Sequence, residues 1–386
     1  MDSNKNKRRV IVVNSSSTFE YRVNLFRKVM EERGWEVLII GSDYDHIKKC
    51  KRSKPDDEQV IYLPTLPYKK NISMARIRSH FQFSNDAFNK IKDMDADLLY
   101  IVVPPNSQSG IAKKYKARHP KVKVIMDVID LWPESFPSSH SESFPFTLWA
   151  GVRNRNLKFA DIVITECDLY HQYLNKFCRH ELQTIYWAHK EELPEETEYI
   201  EQAVSSANPS VDKWVLGYLG SVNNIIDIDK ICSVVGLLKA ERQVDVHIIG
   251  AGERMDEFVS ALKDAGANVI NHGAVYDLKQ KVDILSQCHF GINIMKSTVR
   301  VGMSMKSVDY LQYGVPVLNG IPGDMEEIVA SYHCGINISD FAPDSGSGTD
   351  TSKPVLYDPG MRNNARKFYL SQCSFDAYGE QINSII

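Results

Sequence analysis

The chain has 386 residues, enough for two domains of ordinary size and too many for one simple core. Its 43% hydrophobic and 25% charged content is that of an ordinary soluble protein, and a net charge of −3 excludes the global basic field that nucleic-acid binders usually carry. Seven scattered cysteines (Cys50, Cys167, Cys178, Cys232, Cys288, Cys334, Cys373), with no C-x-x-C and no clustering with histidine, argue for a reducing compartment and against a disulfide frame or a zinc site. The polar start MDSNKNKRR lacks the apolar core of a signal peptide, and no apolar run approaches the ~20 residues of a membrane span. The expected location is the cytoplasm, or the cytosolic face of a membrane.

Arg9-Val10-Ile11-Val12-Val13 reads as a buried strand of the parallel type. Asn14-Ser15-Ser16-Ser17 follows, then a helix carrying Tyr21, Leu25, Val29 and Met30, then the strand at residues 35–41. Strand, helix, strand is a βαβ unit, and such alternation predicts a parallel sheet covered by helices. Serines replace the glycines of G-x-G-x-x-G in the first crossover, so the dinucleotide fingerprint is absent. A polar loop holding Ser16 and Ser17 at the carboxyl end of a first strand is nevertheless where ligands approach such sheets.

Residues 69–92 form a helical stretch rich in bases and aromatics, including Arg76, Arg78, His80, Phe81 and Phe83. Two readings stand: a solvated basic face, or a patch drawn to anionic lipid at about 1 kcal/mol per basic residue. Further strands fall at 98–103, 122–128 and 159–165, with a short one at 185–188. The strand at 122–128 ends in a polar corner, Asp130-Leu131-Trp132-Pro133-Glu134-Ser135. It is either a functional corner or a turn in which Asp130 bonds backbone N–H groups and Trp132 fills a gap. The acidic run 191–198 and the small polar residues 205–210 break the pattern, placing a linker near 190–212.

A second α/β series follows: a strand at 214–219 ending in Gly220-Ser221, one at 244–249 ending in Gly250-Ala251-Gly252, then 269–270 leading into Gly273-Ala274-Val275, then 290–294. Met255 stands where a third glycine would complete G-x-G-x-x-G, so the dinucleotide signal is weak. Residues 344–353 are low-complexity and read as a surface loop, and 361–386 end the chain as helix.

The stretch 296–328 combines a loop, a helix capped by Ser304, a stop at Gly314 and an apolar strand. Lys306 falls in the first helical turn, where a cation opposes the helix dipole at a cost of about 0.3–1 kcal/mol. A bound anion would reverse that sign, with free N–H groups and the lysine pointing at it. Asp309, one turn on, would reach the hydroxyls of a sugar attached to that anion. The competing reading is an i, i+3 salt bridge between Lys306 and Asp309, worth roughly 0.2–0.5 kcal/mol.

These residues resemble the retaining family-4 glycosyltransferases, whose nucleotide-sugar domain carries a Glu-x7-Glu motif ending in G-x-P-V. Anchored on Gly314-Val315-Pro316-Val317, Asp309 takes the place of the second glutamate and Val301 that of the first. Lys306, together with the missing first glutamate, looks like the capsule and polysaccharide branch, and Asp130-Leu131-Trp132-Pro133-Glu134-Ser135 is similar to that branch's D-L-W-P-E-S. Ala160-Asp161-Ile162-Val163-Ile164-Thr165 and Arg362-Asn363-Asn364-Ala365-Arg366 are further matches. Two departures matter: Ser221-Val222-Asn223-Asn224 replaces an Arg and Lys, and Ile129 replaces the histidine of a His-Asp pair.

The resemblance implies an α/β chain of the GT-B fold: two Rossmann-like parallel-sheet domains facing each other across a cleft, with the C-terminal helix crossing back. The expected divisions are an acceptor domain at 1–195 with 370–386 packed on it, a linker at 196–212 and a nucleotide-sugar domain at 213–369. The implied activity is transfer of a sugar from a nucleoside-diphosphate sugar, a UDP-sugar, to a glycan or lipid-linked glycan hydroxyl, with retention, in surface polysaccharide synthesis. Lys306, Gly220, Ser221, Ser304 and Arg300 are expected at the diphosphate, Asp309 at the ribose, and Gly273, Ala274 and Val275 at the base. Gly302 and Met303 are expected at the donor sugar; Asp130 and Lys306 are the catalytic candidates, with Ser16 and Ser17 in the N-domain loop. No metal or cofactor is expected, and no nucleic acid; contact with an anionic membrane from the cytosolic side is the further partner. Two alternatives remain: a non-catalytic partner subunit of the same fold, and a nucleotide-sugar 2-epimerase, kept open by Glu134.

Overall fold

Apolar runs of four to six residues, bounded by polar loops, set the strands of this chain. The computed structural model describes residues 7–135, 144, 146–341 and 356–386; the low-complexity run at 344–353 lies outside them. The chain divides into two compact units, one of Met1–Tyr186 with Gly379–Ile386, the other of Trp187–Tyr378. Each has its own apolar core. No helix among the described residues is long and apolar enough to cross a membrane.

The first unit runs β1 (Arg9–Asn14), α1 (Glu20–Glu32), β2 (Glu36–Ser42), a two-strand ribbon of β3 (Tyr44–Asp45) and β4 (Cys50–Lys51), β5 (Val60–Leu63) and α2 (Met74–Ile91). It continues through β6 (Leu98–Val103), α3 (Ser109–Lys116), β7 (Lys123–Val128), α4 (Phe146–Leu157), β8 (Ile162–Thr165), α5 (His171–Leu174) and β9 (Gln183–Thr184). The sheet order is β5-β2-β1-β6-β7-β8-β9, with every pairing parallel. The order reverses between β1 and β6, so the loops leaving their carboxyl ends diverge and open a crevice. Beneath it, Arg22 of α1 donates through Nε to Asp127 at 2.7 Å, both side chains being buried. The same guanidinium donates to the carbonyls of Ile185 and Tyr186 at 3.0 and 3.1 Å. The strand expected at 185–188 is observed as β9 at 183–184; Ile185 still donates its N–H to the Thr165 carbonyl at 3.0 Å, and Arg22 takes the next two carbonyls.

The second unit begins with α6 (Pro194–Ser206), where the acidic run had suggested a linker. Pro194 at the first helical position, Glu195 and Glu196 in the first turn and the Glu196 carboxylate accepting the Leu193 N–H at 2.8 Å make that run a helix start. Ile200 and Val204 bury its apolar face. Then follow β10 (Lys213–Leu219), α7 (Ile228–Glu241), β11 (Gln243–Ile249), α8 (Met255–Asp264), β12 (Asn268–Asn271), α9 (Leu278–Ser286) and β13 (Phe290–Asn293). The unit closes with α10 (Met305–Gln312), β14 (Val317–Asn319), α11 (Asp324–Tyr332), β15 (Gly335–Asn337) and α12 (Gly360–Gln372); α13 (Phe375–Ile385) starts here and ends in the first unit. Its all-parallel sheet has the order β12-β11-β10-β13-β14-β15, so it too reverses, between β10 and β13.

The loops at the carboxyl ends of β10, β11 and β12 are stitched together by backbone. Gly220 donates to the Ile249 carbonyl at 2.9 Å, Val222 to Ala251 at 3.0 Å, and Gly250 to Gly273 at 2.7 Å. A Cβ on Gly250 would lie 2.0 Å from the Gly220 oxygen, and one on Gly252 would lie 2.2 Å from the Val222 oxygen. The half-motif Gly250-Ala251-Gly252 therefore serves a close approach of two loops. Because the obstacle is backbone and φ at Gly250 is +151°, Gly250→Ala is expected to destabilise the second unit by about 3 kcal/mol or more. Exposed Gly236, in mid-helix with nothing within 4 Å of its Cβ position, should instead gain about 0.5–1 kcal/mol as alanine. Urea denaturation of the two variants beside wild type measures both; equal effects would contradict the packing account.

Candidate functional site

The second unit places α10 against the loop that leaves β10. Ser304 caps α10: its Oγ accepts the Ser307 N–H at 3.2 Å and donates to Asn293 Oδ1 at 2.8 Å. Buried and fully engaged, the Ser304 hydroxyl is not free for a phosphate, so what this position offers is the helix end itself. Lys306, half-buried in the first turn, leans back along Gly220, its Cε 3.8 Å from where a Gly220 Cβ would stand. Its Nζ donates to the Tyr218 hydroxyl at 2.8 Å and sits 4.2 Å from that ring's centroid. Tyr218 in turn donates to the Ser221 carbonyl at 2.8 Å.

Lys306 forms no ion pair among the described residues. The i, i+3 bridge to Asp309 is not made; Asp309 pairs instead with His189 Nε2 at 3.2 Å. His189 is anchored by its backbone N–H to the Cys373 carbonyl at 3.0 Å, while its buried Nδ1 has no hydrogen-bond partner among the described residues. Burial with no opposing carboxylate pulls the Lys306 pKa from its ordinary value down to about 7.

The other predicted residues of this unit are in differing states. Gly273 donates to Asn271 Oδ1 at 2.9 Å and accepts from Gly250, fixing the loop on which exposed Ala274 and half-buried Val275 follow. Ser221 is exposed. Gly302 and Met303 are buried, and the Gly302 carbonyl already accepts the Met325 N–H at 2.9 Å. Arg300 is half-buried on the same loop and is engaged in a contact of its own. The arginines of Arg362-Asn363-Asn364-Ala365-Arg366 are structural: Arg362 donates to the Ser286 carbonyl at 2.9 Å, and Arg366 to Glu192 at 2.7 Å.

The first unit has a cavity of about 210 Å³ at its own reversal point. It is lined by residues that follow β1, β2, β5, β6 and β7, among them Ser16, Pro104 and Asp130. Asn14 holds the first of these loops through Oδ1, which accepts the Ser16 N–H at 3.0 Å. The hydroxyls of Ser16 and Ser17 lie 3.5 and 3.4 Å from His46 Nδ1. Asp130 accepts from the Ser135 hydroxyl at 2.5 Å, and burial raises its pKa against the lowering effect of Ser135, Arg153 and Arg76. Glu134 is committed elsewhere, to buried Arg153 at 2.6 Å, so the carboxylate that kept the epimerase reading open is structural.

His46, Arg76 and His80, which also line the cavity, were not singled out from the sequence as site residues. Arg76 and His80 are four apart on α2, hence on one helix face, and the Arg76 Nε donates to His80 Nε2 at 3.4 Å. Burial and the Arg76 charge hold the His80 pKa down to about 3, so it is a neutral ring.

Residues 213–345 match a family model described as glycosyl transferases group 1. No curated protein matches the chain in sequence. Among solved structures, the chain is similar to a sucrose-phosphate synthase (tll1590) from Thermosynechococcus elongatus, with a TM-score of 0.67, 13% identity and 98% of each chain covered. It is similar to Anabaena Alr3699/HepE in complex with UDP, at a TM-score of 0.62 and 13% identity over 98% of this chain and 99% of that one. A third is the lipopolysaccharide outer core galactosyltransferase WaaB in its apo form, at 0.61 and 13% over 97% and 98%. At such identities the likeness is one of fold, and that fold is GT-B. Together the matched domain and the fold are those of a glycosyltransferase.

The depressed pKa of Lys306 has a stability consequence of definite sign. Between about pH 7 and the unfolded-state value of 10.5 the unfolded chain holds a proton that the folded chain lacks. The cost of burying the ammonium is therefore present in full below about pH 7 and fades as pH rises towards 10.5. Lys306→Met is expected to raise the melting temperature by a few degrees at pH 6, and by less at pH 9. Calorimetric scans at the two pH values check this; a variant destabilised equally at both would contradict the burial argument.

Proposed function

We propose that this chain transfers a sugar from a nucleoside-diphosphate sugar, a UDP-sugar, to a hydroxyl of a glycan or lipid-linked glycan. The observation that carries the reading is the Lys306 ammonium at a helix N-terminus, hydrogen-bonded to a phenol and paired with no carboxylate among the described residues. Such a group lowers the energy of an anion placed beside it. When the anomeric bond of a nucleotide sugar breaks, charge builds on the β-phosphate, and preorganised positive potential there is the largest catalytic need. Lys306, the free N–H groups opening α10 and the Gly220–Ser221 backbone meet that need, with Arg300 on the neighbouring loop. UDP bound to the Anabaena structure of like fold supports the choice of nucleotide.

Asp309, held by His189 at one oxygen, turns to the ribose hydroxyls, and the loop Gly273-Ala274-Val275 faces the base. The backbone at Gly302 and Met303 borders the transferred sugar. In this reading the second unit is the donor domain, and the first takes the acceptor in the cavity lined by Ser16 and Asp130. Asp130, with its proton affinity raised by burial, orients the acceptor hydroxyl or takes its proton. Membership of the retaining family-4 enzymes, retention at the anomeric carbon, a role in surface polysaccharide synthesis and work on the cytosolic face of a membrane complete the proposal, on the motif resemblance.

The test is a thermal-shift series with uridine, UMP, UDP and other nucleoside diphosphates. A ligand that binds only the native state raises its melting temperature, by RT ln(1 + [L]/Kd) in free energy. UDP should give a clear rise and uridine almost none, because the diphosphate supplies the anchoring charge. No shift with any nucleoside diphosphate would overturn the donor-site reading and favour a non-catalytic partner subunit.

A further inference from the structure

Each of the last three strands of the second unit ends in asparagine: Asn293 closes β13, Asn319 closes β14 and Asn337 closes β15. The parallel register sets them side by side, Asn293 against Asn319 and Asn319 against Asn337. All three are buried, at 0%, 2% and 5% exposure. Asparagine is depleted in strands and is mostly a surface residue, so three buried together call for a reason. Apolar side chains of similar size would close the sheet at little or no cost, whereas each buried amide must find partners for both its donor and its acceptor.

Those partners form one row that runs in one direction. The Ser304 hydroxyl donates to Asn293 Oδ1 at 2.8 Å, Asn293 Nδ2 to Asn319 Oδ1 at 3.1 Å, and Asn319 Nδ2 to Asn337 Oδ1 at 2.9 Å. Asn337 Nδ2 ends the row on the Glu326 carbonyl of α11 at 3.1 Å. Asn319 is also clamped to its own loop, accepting from the Ile321 N–H at 3.2 Å and donating to that residue's carbonyl at 2.8 Å. Hydrogen bonds aligned head to tail polarise one another, and a hydroxyl that gives its hydrogen to such a row becomes the better acceptor. That hydroxyl is the cap of α10. The start of α11 is tied to the same region a second time, by the Met325 N–H on the Gly302 carbonyl at 2.9 Å.

The cap decides which N–H groups α10 presents. The Ser307 N–H is taken by Ser304, through Oγ at 3.2 Å and through the carbonyl at 3.0 Å. Met305 and Lys306 open the helix, so their N–H groups have no acceptor one turn back within it. We propose that Asn293, Asn319 and Asn337 are positioning residues of the donor site: acting through Ser304, they fix the first turn of α10 so that the Met305 and Lys306 N–H groups and the Lys306 ammonium meet the β-phosphate together. This rests on the glycosyltransferase reading and adds to it residues that act without touching substrate. A row that only closed the sheet would bear on stability alone. One that sets the cap bears on how much the second phosphate contributes to binding.

The test titrates UDP and UMP into the full chain by calorimetry, because the ratio of their dissociation constants isolates the β-phosphate and does not follow a simple loss of stability. Wild type should prefer UDP by about tenfold or more. Asn319→Ala cuts the row at its middle, away from α10; it should lower that ratio by about threefold or more, with UMP affinity changed by less than about twofold. Leu318→Val, a buried neighbour on the same strand with the row intact, should lower the melting temperature and keep the wild-type ratio. Where Asn319→Ala gives no cooperative melt, Asn337→Ala cuts the row at its far end and carries the same expectation. In a Ser304→Ala background the Asn319→Ala change should lower the ratio no further, since the route through the cap is already gone. A further loss there overturns the route. Wild type that binds UDP no better than UMP, or binds neither, overturns the donor site and this inference with it. A UDP preference that survives undiminished in Asn319→Ala overturns this inference alone.

Discussion

An ammonium group half-buried beside a phenol and a glycine, with no carboxylate paired to it among the described residues, is unfavourable. The hydrogen bond from Lys306 to Tyr218 satisfies one of its three donors, and the ring face adds a modest attraction. Neither replaces the water lost on burial, and the pKa of about 7 records the difference. Much of the second unit's architecture makes this arrangement possible. The sheet reverses between β10 and β13, so the helix after β13 and the loop after β10 meet at their polar ends. The glycine-mediated contacts among the three neighbouring loops hold Gly220 close enough for the lysine stem to lie along it. Asp309 is kept off the lysine by His189, so the two charges that would otherwise cancel remain separately available.

The first unit follows the same topological rule with different chemistry. Its cavity also opens where strand order reverses, but it is lined by hydroxyls, two histidines, one carboxyl group and one guanidinium, that of Arg76. Buried polar groups underneath keep that rim in place. Asn106 donates to the carbonyls of Trp132 and Trp149 at 3.1 and 2.9 Å, and the Glu134–Arg153 pair closes the corner from the other side. In the Asp-Leu-Trp-Pro-Glu-Ser corner, Asp130 accepts from the Ser135 hydroxyl, where a bond to backbone N–H groups was the structural expectation. Glu134 and Trp132 build the corner, and Asp130 is the member that reaches the cavity.

The sheets were legible because parallel strands buried on both faces are continuous apolar runs, and these stand out between polar loops. The short edge strands β5 and β15 were not read, since three or four residues carry no periodicity. Helix α6 was missed for a related reason: its acids looked like a linker, although acids in a first turn behind a proline are a helix signal. Lys306 was legible because it violates a local rule of helix electrostatics. Its partner Tyr218 and the His189–Asp309 pair were not, since each joins segments far apart in the chain. Arg76 and His80 had a readable signal, their spacing of four on one helix, but the many other bases nearby disguised it. Gly250 and Gly252 were set aside as a failed dinucleotide motif, when the physical reason for them is the approach of a second backbone.

The central claim is that Lys306 is held ready for a phosphate, and the proton inventory of UDP binding addresses it directly. At pH 8 the lysine of the free protein, with its pKa near 7, is largely neutral, whereas a diphosphate beside it would restore the charge. Isothermal titration of UDP at pH 8, repeated in buffers of different ionisation enthalpy, should show an uptake of about one proton per UDP that is absent in Lys306→Met. UDP binding without proton uptake, or with an uptake that persists in the variant, would contradict the account.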